Sequence, residues 1–438
     1  MKKLIHFFIS KIKFIVVIYF VFQLILVLTI HPNYKSDALY YYNLAQECIH
    51  INEFYPAKEQ INEDYIVAPL YINVVIILLT VHNSTFTISL FNLLLIMIQL
   101  LVIYKITSKI FSEYAAKISV LFYILYLNTI GLMLSNYTEL FFLLLVSSSV
   151  FLFLLKNKWS YLFSGILLGG AIAVRPAAWA LLISFIVLQI YNVYKSKKFS
   201  FNYLFLYSGV LVVILCFGVF TYSHFGKFEF TSTTGPVNLL IGANDDATGA
   251  FNSTVFEKGK AGYIGNPDTM TYIQKGSFYK LAALDWITSH PIKWILLAPL
   301  KFVHTFGWDD IALSSLIGFG DTNFARVLKI VITEQNFDKA LPDANTFSKV
   351  FYFTILIATH LFYYLILICI LLGIYNLFKK KLMNDGTILI LLFSFFSILM
   401  VMITVGTPRY KYPIFMMLLP LASYFIEMKL KPGKQNIE

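Results

Sequence analysis

Apolar runs long enough to cross a membrane recur along the whole chain. The first covers residues 13–30, and 58% of the 438 residues are hydrophobic while only 13% are charged. A spanning helix needs about 20 apolar residues, because the hydrocarbon core is about 30 Å thick. Backbone polar groups in lipid must pair within the segment, which an α-helix achieves. The sequence therefore predicts an all-α polytopic membrane protein.

Short lysine clusters separate many of these runs and indicate which side of the membrane each loop occupies. Cytoplasmic loops are enriched in Lys and Arg. We therefore place inside the clusters at residues 2–13, 105–117, 156–158, 195–198, 379–381 and 429–434. This predicts about ten spans, within a range of about eight to twelve, at residues 13–30, 86–104, 115–134, 138–155, 161–176, 178–194, 203–224, 349–377, 386–405 and 412–428. Both termini are then cytoplasmic. The net charge of +11 follows from topology and indicates no nucleic-acid partner.

The remaining segments predict the domain organisation. Residues 66–82 and 292–306 are apolar but short or interrupted by charge, which favours helices in the outer interface. Residues 1–224 form an N-terminal transmembrane catalytic module with a first outer loop at 31–85. Residues 225–348 form a mostly helical extracytoplasmic subdomain, with helices at 269–288 and 292–306. Residues 349–438 form the C-terminal transmembrane helices.

Polar residues that lie awkwardly close to apolar runs gather in the outer loops. Ionisable groups near hydrocarbon are costly and usually mark a function. The residues concerned are Asp37, Glu139, Arg175, His304, Arg409 and Lys411. Their common side predicts a site that faces outward at the membrane surface.

Several sequence motifs occur in chain order around these residues. They are Ser36-Asp37-Ala38 with the aromatic segment after it, Ala68-Pro69-Leu70-Tyr71, residues 134–140 around Glu139, residues 165–176 ending in Arg175-Pro176, residues 238–249, residues 290–301, and residues 409–413. The ordered set resembles the GT-C superfamily of glycosyltransferases, in the group that contains protein O-mannosyltransferases and the aminoarabinose and mannose transferases of bacterial envelopes. Many relatives carry a second acid where this chain has Ala38, a Pro where it has Ala68, and Asp where it has Glu139.

The resemblance implies an enzyme of the bacterial plasma membrane. It would transfer a sugar from a polyprenyl-phosphate donor to a hydroxyl of a glycan, lipid or protein acceptor, at the outer face. It implies catalytic roles for Asp37 and Glu139, with Asp37 as the general base. Donor-phosphate binding falls to Arg409, Arg175, Lys411 and Tyr410, and the residues lining the substrate would be Tyr41, Tyr71, His304, Lys301 and Asn244. No cofactor is assigned, and a divalent metal stays open.

Simpler interpretations stand beside these assignments. Asp37 could cap a helix, and Glu139 could favour the positive end of a helix dipole. Arg175 could extend to the interface as an ordinary snorkelling side chain, and His304 could be an interior histidine. At the level of function, the alternatives are an envelope polysaccharide polymerase or ligase and a transporter of lipid-linked glycans.

Overall fold

The computed structural model describes residues 2–309, 313, 330, 332–334 and 346–430. These residues form helices joined by loops, and the described part contains no β-sheet, only one isolated bridge between Ala250 and Gly406. The all-α prediction is confirmed.

The α-helices follow one another with short connections up to residue 225. They are α1 Lys2–Ser10, α2 Ile12–Thr29, α3 Ser36–Ile51, α4 Pro69–Val81, α5 Thr85–Ile110, α6 Glu113–Leu125, α7 Asn128–Met133, α8 Glu139–Phe153, α9 Lys158–Val174, α10 Trp179–Ser196 and α11 Asn202–Phe225. After them come α12 Gly235–Ile241, α13 Tyr272–Ser289, α14 Pro291–Phe306, α15 Thr346–Lys380, α16 Asp385–Ile403 and α17 Lys411–Leu430.

Seven of the described helices are long and apolar enough to cross a membrane. They are α2, α5, α10, α11, α15, α16 and α17. The apolar stretch of α10 also includes the preceding 3-10 turn Pro176–Ala178, and that of α17 includes the 3-10 turn Pro408–Tyr410. Shorter apolar helices are α4, α8 and α9. Helices of this number and composition establish a polytopic membrane protein.

One predicted span is divided in the structure. Residues 115–134 were expected to form a single helix, but α6 ends at Leu125 and the short α7 begins at Asn128. Tyr126 has an extended backbone between them. Both Tyr126 and Asn128 turn their side chains to the buried Asp309, and these hydrogen bonds explain why the helix does not continue. The 13 residues of α6 reach only about 20 Å.

Helix α17 lies at the centre of the bundle. It packs against α15, α6, α16 and α8, and it is the most buried of the candidate spans. Helix α9 packs between α8 and α11. Its approach to α11 is so close that a Cβ on Gly165 would lie 1.9 Å from the carbonyl oxygen of Leu206. Small residues of this kind allow the helices of membrane bundles to approach each other.

Helices α12, α13 and α14 carry a second hydrophobic core outside the main one. Its buried members come from these helices, from the loops between them, and from Val405 in the turn before α17. The helices predicted at 269–288 and 292–306 are α13 and α14. The segment thus packs directly on the turn that carries Arg409. The division into domains itself stays a prediction, and much of 310–345 lies outside the described residues.

Candidate functional site

Four charged side chains from distant parts of the chain meet at one end of the bundle. Asp37 lies in the first turn of α3, and Glu139 is the first residue of α8. Arg175 ends α9, and Arg409 lies in the 3-10 turn before α17. Each is positioned by the beginning or the end of a helix. The two acids and two arginines balance in formal charge.

The four residues form one chain of ion pairs. Arg175 Nη1 donates to Glu139 Oε1 at 2.8 Å, and Arg409 Nε lies 3.9 Å from the same oxygen. Arg409 Nη2 donates to Asp37 Oδ2. Arg409 therefore bridges two carboxylates that are separated by 102 positions in the sequence.

Exposure distinguishes the two acids. The Glu139 side chain is 1% exposed, whereas that of Asp37 is 44% exposed. The arginines lie between them, at 17% for Arg175 and 16% for Arg409. The Asp37 carboxylate is therefore accessible from solvent, while the Glu139 carboxylate is buried beneath the arginines.

Aromatic rings hold the guanidinium groups in place. The guanidinium carbon of Arg409 lies 4.3 Å from the ring centre of Tyr137, and that of Arg175 lies 4.8 Å from Tyr410. Arg stacks well on aromatic faces because its charge is planar and weakly hydrated. Tyr410, predicted to bind the donor phosphate, packs against a phosphate-binding candidate. Tyr137 was not among the predicted site residues, although it lies two positions before Glu139.

Asn136 connects α3 to the loop before α8. Its Oδ1 accepts a hydrogen bond from the hydroxyl of Tyr71 at 2.9 Å, and its Nδ2 donates to the carbonyl of Ala38 at 3.1 Å. The side chain is fully buried, where unpaired amide groups are expensive. Asn136 therefore fixes the start of α3 against the Glu139 loop. Asn136 lies in the motif at residues 134–140, but it was not predicted as a site residue.

Two tyrosines predicted to line the substrate are buried behind Asp37. The rings of Tyr41 and Tyr71 lie 6.3 Å apart, edge to face. Burial raises the pKa of Tyr41, and the Asp37 carboxylate raises it further. Tyr41 is therefore a neutral hydrogen-bonding group beside the carboxylate.

The structure does not show Asp37 as the cap of α3. The residue at the N-cap position of α3 is Lys35, and it makes no side-chain capping bond. The Asp37 carboxylate is directed to Arg409 instead. Ser36, directly before it, has a left-handed backbone with φ of 51°. Such strained conformations cost about 1–3 kcal/mol and are concentrated at functional sites.

Lys411 lies in a different cluster from the one predicted. Its Nζ is 3.0 Å from Asp309 Oδ1, and both side chains are almost completely buried. It also donates to the carbonyl of Trp308. Lys411 thus lies beneath the site, on the bundle side of Arg409.

Lys301, His304 and Asn244 have other contacts than the predicted ones with substrate. Lys301 is fully buried and donates to the carbonyl of Ile403 at 3.2 Å, and burial lowers its pKa to about 8. Burial also lowers the pKa of His304, partly offset by a hydrogen bond with the backbone of Thr248. Asn244 caps α12 through bonds to two of its carbonyls. Of the three, Lys301 contacts the end of α16 that leads into the turn.

The carboxylates of the site do not form a metal-binding group. Among the described residues, no three His, Cys, Asp or Glu side chains lie close enough together to hold a metal ion. Asp37 Oδ2 and Glu139 Oε1 both contact a guanidinium. Carboxylate oxygens are ligands that divalent metals prefer, but here they contact fixed cations. The donor set of the described residues does not fit a metal.

Known proteins resemble this chain in its fold and, over part of its length, in its sequence. Residues 66–222 match the family model of dolichyl-phosphate-mannose-protein mannosyltransferases, a range that includes Glu139 and Arg175. No curated protein sequence matches the chain significantly.

The structure is similar to that of the apo oligosaccharyltransferase of Archaeoglobus fulgidus. The TM-score is 0.51 at 13% sequence identity, over 94% of this chain and 50% of that one. The complex of the same archaeal enzyme with an inhibitory peptide and a dolichol-phosphate aligns with a TM-score of 0.46 at 14% identity, over 94% and 49% of the two chains. The chain therefore spans about half the length of these structures. The chain is thus similar in fold to the archaeal oligosaccharyltransferase and, over residues 66–222, similar in sequence to the dolichyl-phosphate-mannose-protein mannosyltransferases.

Proposed function

We propose that the chain is a membrane glycosyltransferase that moves a sugar from a polyprenyl-phosphate donor to an acceptor hydroxyl at the outer face of the membrane. One observation carries the proposal. A half-exposed carboxylate, Asp37, pairs with Arg409, and Arg409 and Arg175 both lie against the buried carboxylate of Glu139. This arrangement suits a reaction in which a hydroxyl loses a proton and a phosphate leaves.

Asp37 acts as the general base. A hydroxyl is a weak nucleophile, so a carboxylate that accepts its proton during attack lowers the barrier. The acceptor oxygen forms a bond to the anomeric carbon, while the bond from that carbon to the phosphate oxygen breaks. The electron pair of the broken bond leaves with the lipid phosphate, and the proton remains on Asp37.

The arginines stabilise the departing phosphate. Arg409 contacts Asp37 in the substrate-free structure, and a guanidinium has further donors for phosphate oxygens. Preorganised cations are most effective where water is partly excluded, and both arginine side chains are less than one-fifth exposed. Arg175 is the second phosphate-binding candidate.

Glu139 acts through the arginines and does not contact the reacting groups. It is almost completely buried, so an acceptor hydroxyl would not reach it. Its charge balances and orients Arg175 and Arg409. The proposal therefore moves Glu139 from the catalytic residues of the sequence analysis to the residues that position them.

The donor class rests on the matched family. Its description names a dolichyl-phosphate-linked mannose, and the match includes one acid and one arginine of the site. We infer a lipid-phosphate donor for this chain, while the sugar and acceptor are to be found by assay. The lysine clusters support an outer position for the site, because its loops alternate with the lysine-rich ones.

The test is transfer by purified protein reconstituted in lipid. Undecaprenyl-phosphate sugars are supplied one at a time, and release of undecaprenyl phosphate is measured with and without acceptor extracts. We expect Asp37→Asn to bind undecaprenyl phosphate and to lose turnover by about a hundredfold or more. Arg409→Ala should weaken lipid-phosphate binding by about tenfold or more.

Asp246→Asn is the matched control for Asp37→Asn. Asp246 is 40% exposed and pairs with Lys260 at 2.8 Å. Its replacement should leave turnover within about twofold. Near wild-type turnover by a folded Asp37→Asn protein would contradict the base assignment. Sugar-lipid movement across the bilayer without bond cleavage would instead identify a transporter, and joining of lipid-linked glycans would identify a polymerase or ligase.

A further inference from the structure

A second buried cluster of polar residues lies directly behind the candidate site. Its centre is the ion pair between Lys411 Nζ and Asp309 Oδ1, at 3.0 Å. Tyr126 donates to the same carboxylate oxygen at 2.6 Å, and Asn128 donates to it at 3.0 Å. The backbone N–H of Asp309 donates to His360 Nε2 at 3.1 Å. Three other parts of the chain therefore meet at this aspartate.

Burial excludes direct contact of this pair with a substrate. The side chains of Lys411 and Asp309 are 1% and 2% exposed. Removing two charges from water costs several kcal/mol per ion, and the attraction between them often only offsets this cost. A pair of this kind contributes little to net stability compared with apolar packing. It does impose one specific arrangement on the elements that carry it.

The pair is connected to Arg409 through the backbone. Arg409 belongs to the 3-10 turn Pro408–Tyr410, and Lys411 is the first residue of α17. Lys411 also donates to the carbonyl of Trp308, and its Nζ lies 4.7 Å from the ring centre of Tyr363. The start of α17 is therefore tied to residues 308–309 and to α15. Rotation of this first turn would move Arg409 relative to Asp37 and Glu139.

We propose that Asp309 and Lys411 are positioning residues, which hold the first turn of α17 so that Arg409 reaches Asp37 and Glu139. The proposal deepens the proposed function and rests on it for the role of Arg409. It gives Lys411 a place in the site different from phosphate binding. The lysine holds the turn from the buried side and makes no contact with the donor.

The first measurement is independent of any activity. A nitroxide at Thr407→Cys, in a chain whose three native cysteines are replaced by serine, reports the mobility of the turn. We expect Lys411→Met to increase this mobility. Lys275→Met is the matched control, because Lys275 is 3% exposed, lies 3.0 Å from Asp64 and donates to the carbonyl of Asn62. It should leave the mobility at residue 407 unchanged.

The second measurement is the affinity for undecaprenyl phosphate, followed by KM and kcat where turnover is found. Lys411→Met should weaken affinity and raise the donor KM by about tenfold, with a smaller effect on kcat, whereas Lys275→Met should change KM by less than about twofold. Asp309→Asn, which retains a hydrogen-bond acceptor, replaces Lys411→Met in the test if that variant does not fold. We expect it to weaken the lipid-phosphate affinity and raise the donor KM less than Lys411→Met does.

The outcomes separate this proposal from the function on which it rests. Unchanged mobility at residue 407 together with unchanged lipid-phosphate affinity in folded Lys411→Met and Asp309→Asn proteins would overturn the positioning role. Failure of the wild-type protein to bind undecaprenyl phosphate would refute the proposed function, and the mobility result would still decide whether the pair holds the turn. Equal effects of Lys275→Met and Lys411→Met would show general destabilisation and also overturn the proposal.

Discussion

Glu139 illustrates how a single buried charge can organise a site. Its Oε1 accepts from Arg175 and lies near Arg409, while its Oε2 is buried with no hydrogen-bond partner among the described residues. A buried carboxylate oxygen without a partner is costly. The arrangement therefore indicates selection for the position of the arginines and not for stability alone.

Glu139→Gln tests this role. The substitution keeps the shape of the side chain and removes its charge, so Arg175 and Arg409 lose their common anion. We expect kcat/KM to fall by about tenfold or more, which corresponds to about 1.4 kcal/mol. Initial rates against donor concentration measure the effect. Glu229→Gln, in a more exposed pair with Lys227, is the control, and equal rates for the two variants would contradict the prediction.

The lowered pKa of Lys301 predicts that the folding stability depends on pH. Its pKa is lowered from 10.5 to about 8 by burial, because the folded protein disfavours its charged form. Below about pH 8 the lysine is protonated in both states, and its unfavourable contribution is constant. Between about pH 8 and 10.5 the unfolded chain binds more protons, so folding stability rises with pH.

The stability difference between wild type and Lys301→Met should therefore shift in favour of wild type from about pH 7.5 to about pH 9.5, by about 2 kcal/mol. Thermal unfolding of purified protein at the two pH values measures it. Lys293→Met, at a half-exposed position on the same helix, is the control. A pH-independent difference for Lys301→Met would show that the lysine keeps an ordinary pKa.

At the level of elements, the turn between α16 and α17 is held by the segment that carries α12 and α14. Gly406 N–H donates to the carbonyl of Gly249 at 2.9 Å, and Val405 is buried in the core of that segment. Gly242 faces the same turn, and a Cβ on it would lie 1.7 Å from the carbonyl oxygen of Thr404. The outer segment and the arginine-bearing turn therefore form one packed unit.

Gly242→Ala should displace this turn. A contact of that length with a backbone carbonyl forces the backbone to move, and overpacking of this kind costs about 1–3 kcal/mol. We expect a lower melting temperature and weaker donor binding. Gly235→Ala, where a Cβ would meet nothing within 4 Å, is the matched control and should resemble wild type in both measurements. Wild-type behaviour of Gly242→Ala would show that the turn can adapt.

For the whole molecule, the alternation of lysine-rich and site-bearing loops predicts the orientation in the membrane. The ion pairs join the N-terminal ends of α3, α8 and the α17 turn to the C-terminal end of α9, so all four lie at the same end of the bundle. Lysine clusters at 156–158 and 195–198 lie at the other ends of α8, α9 and α10. The positive-inside rule then predicts that the site faces outward.

Cysteine labelling tests the orientation. In a chain without native cysteines, Lys258→Cys should react with a membrane-impermeant maleimide in intact cells. Lys198→Cys should react only after the cells are opened. Both positions are exposed in the structure, so access and not burial decides the result. The reverse pattern would place the site in the cytoplasm and exclude an extracytoplasmic donor.

The sequence by itself determined the helical membrane architecture, and it predicted a group of charged residues in the outer loops. Hydrocarbon requires long apolar runs and internally paired backbone groups, and both requirements are visible residue by residue. The resemblance of the ordered motifs added Asp37, Glu139, Arg175 and Arg409 as the residues to consider. Apolar runs, lysine clusters and short motifs each lie within one stretch of the sequence, so they can be recognised without the tertiary structure.

Only the tertiary structure decided which charges meet. Arg409 pairs with Asp37 across 372 positions, whereas Lys411, two residues further on, turns inward to Asp309. The break of the helix at Tyr126 follows from the same buried aspartate. Two cations so close in the sequence separate because successive residues at a helix start point in different directions. Which partner each one finds depends on the packing of α3, α6, α8 and α15 around them, and no local pattern encodes that packing.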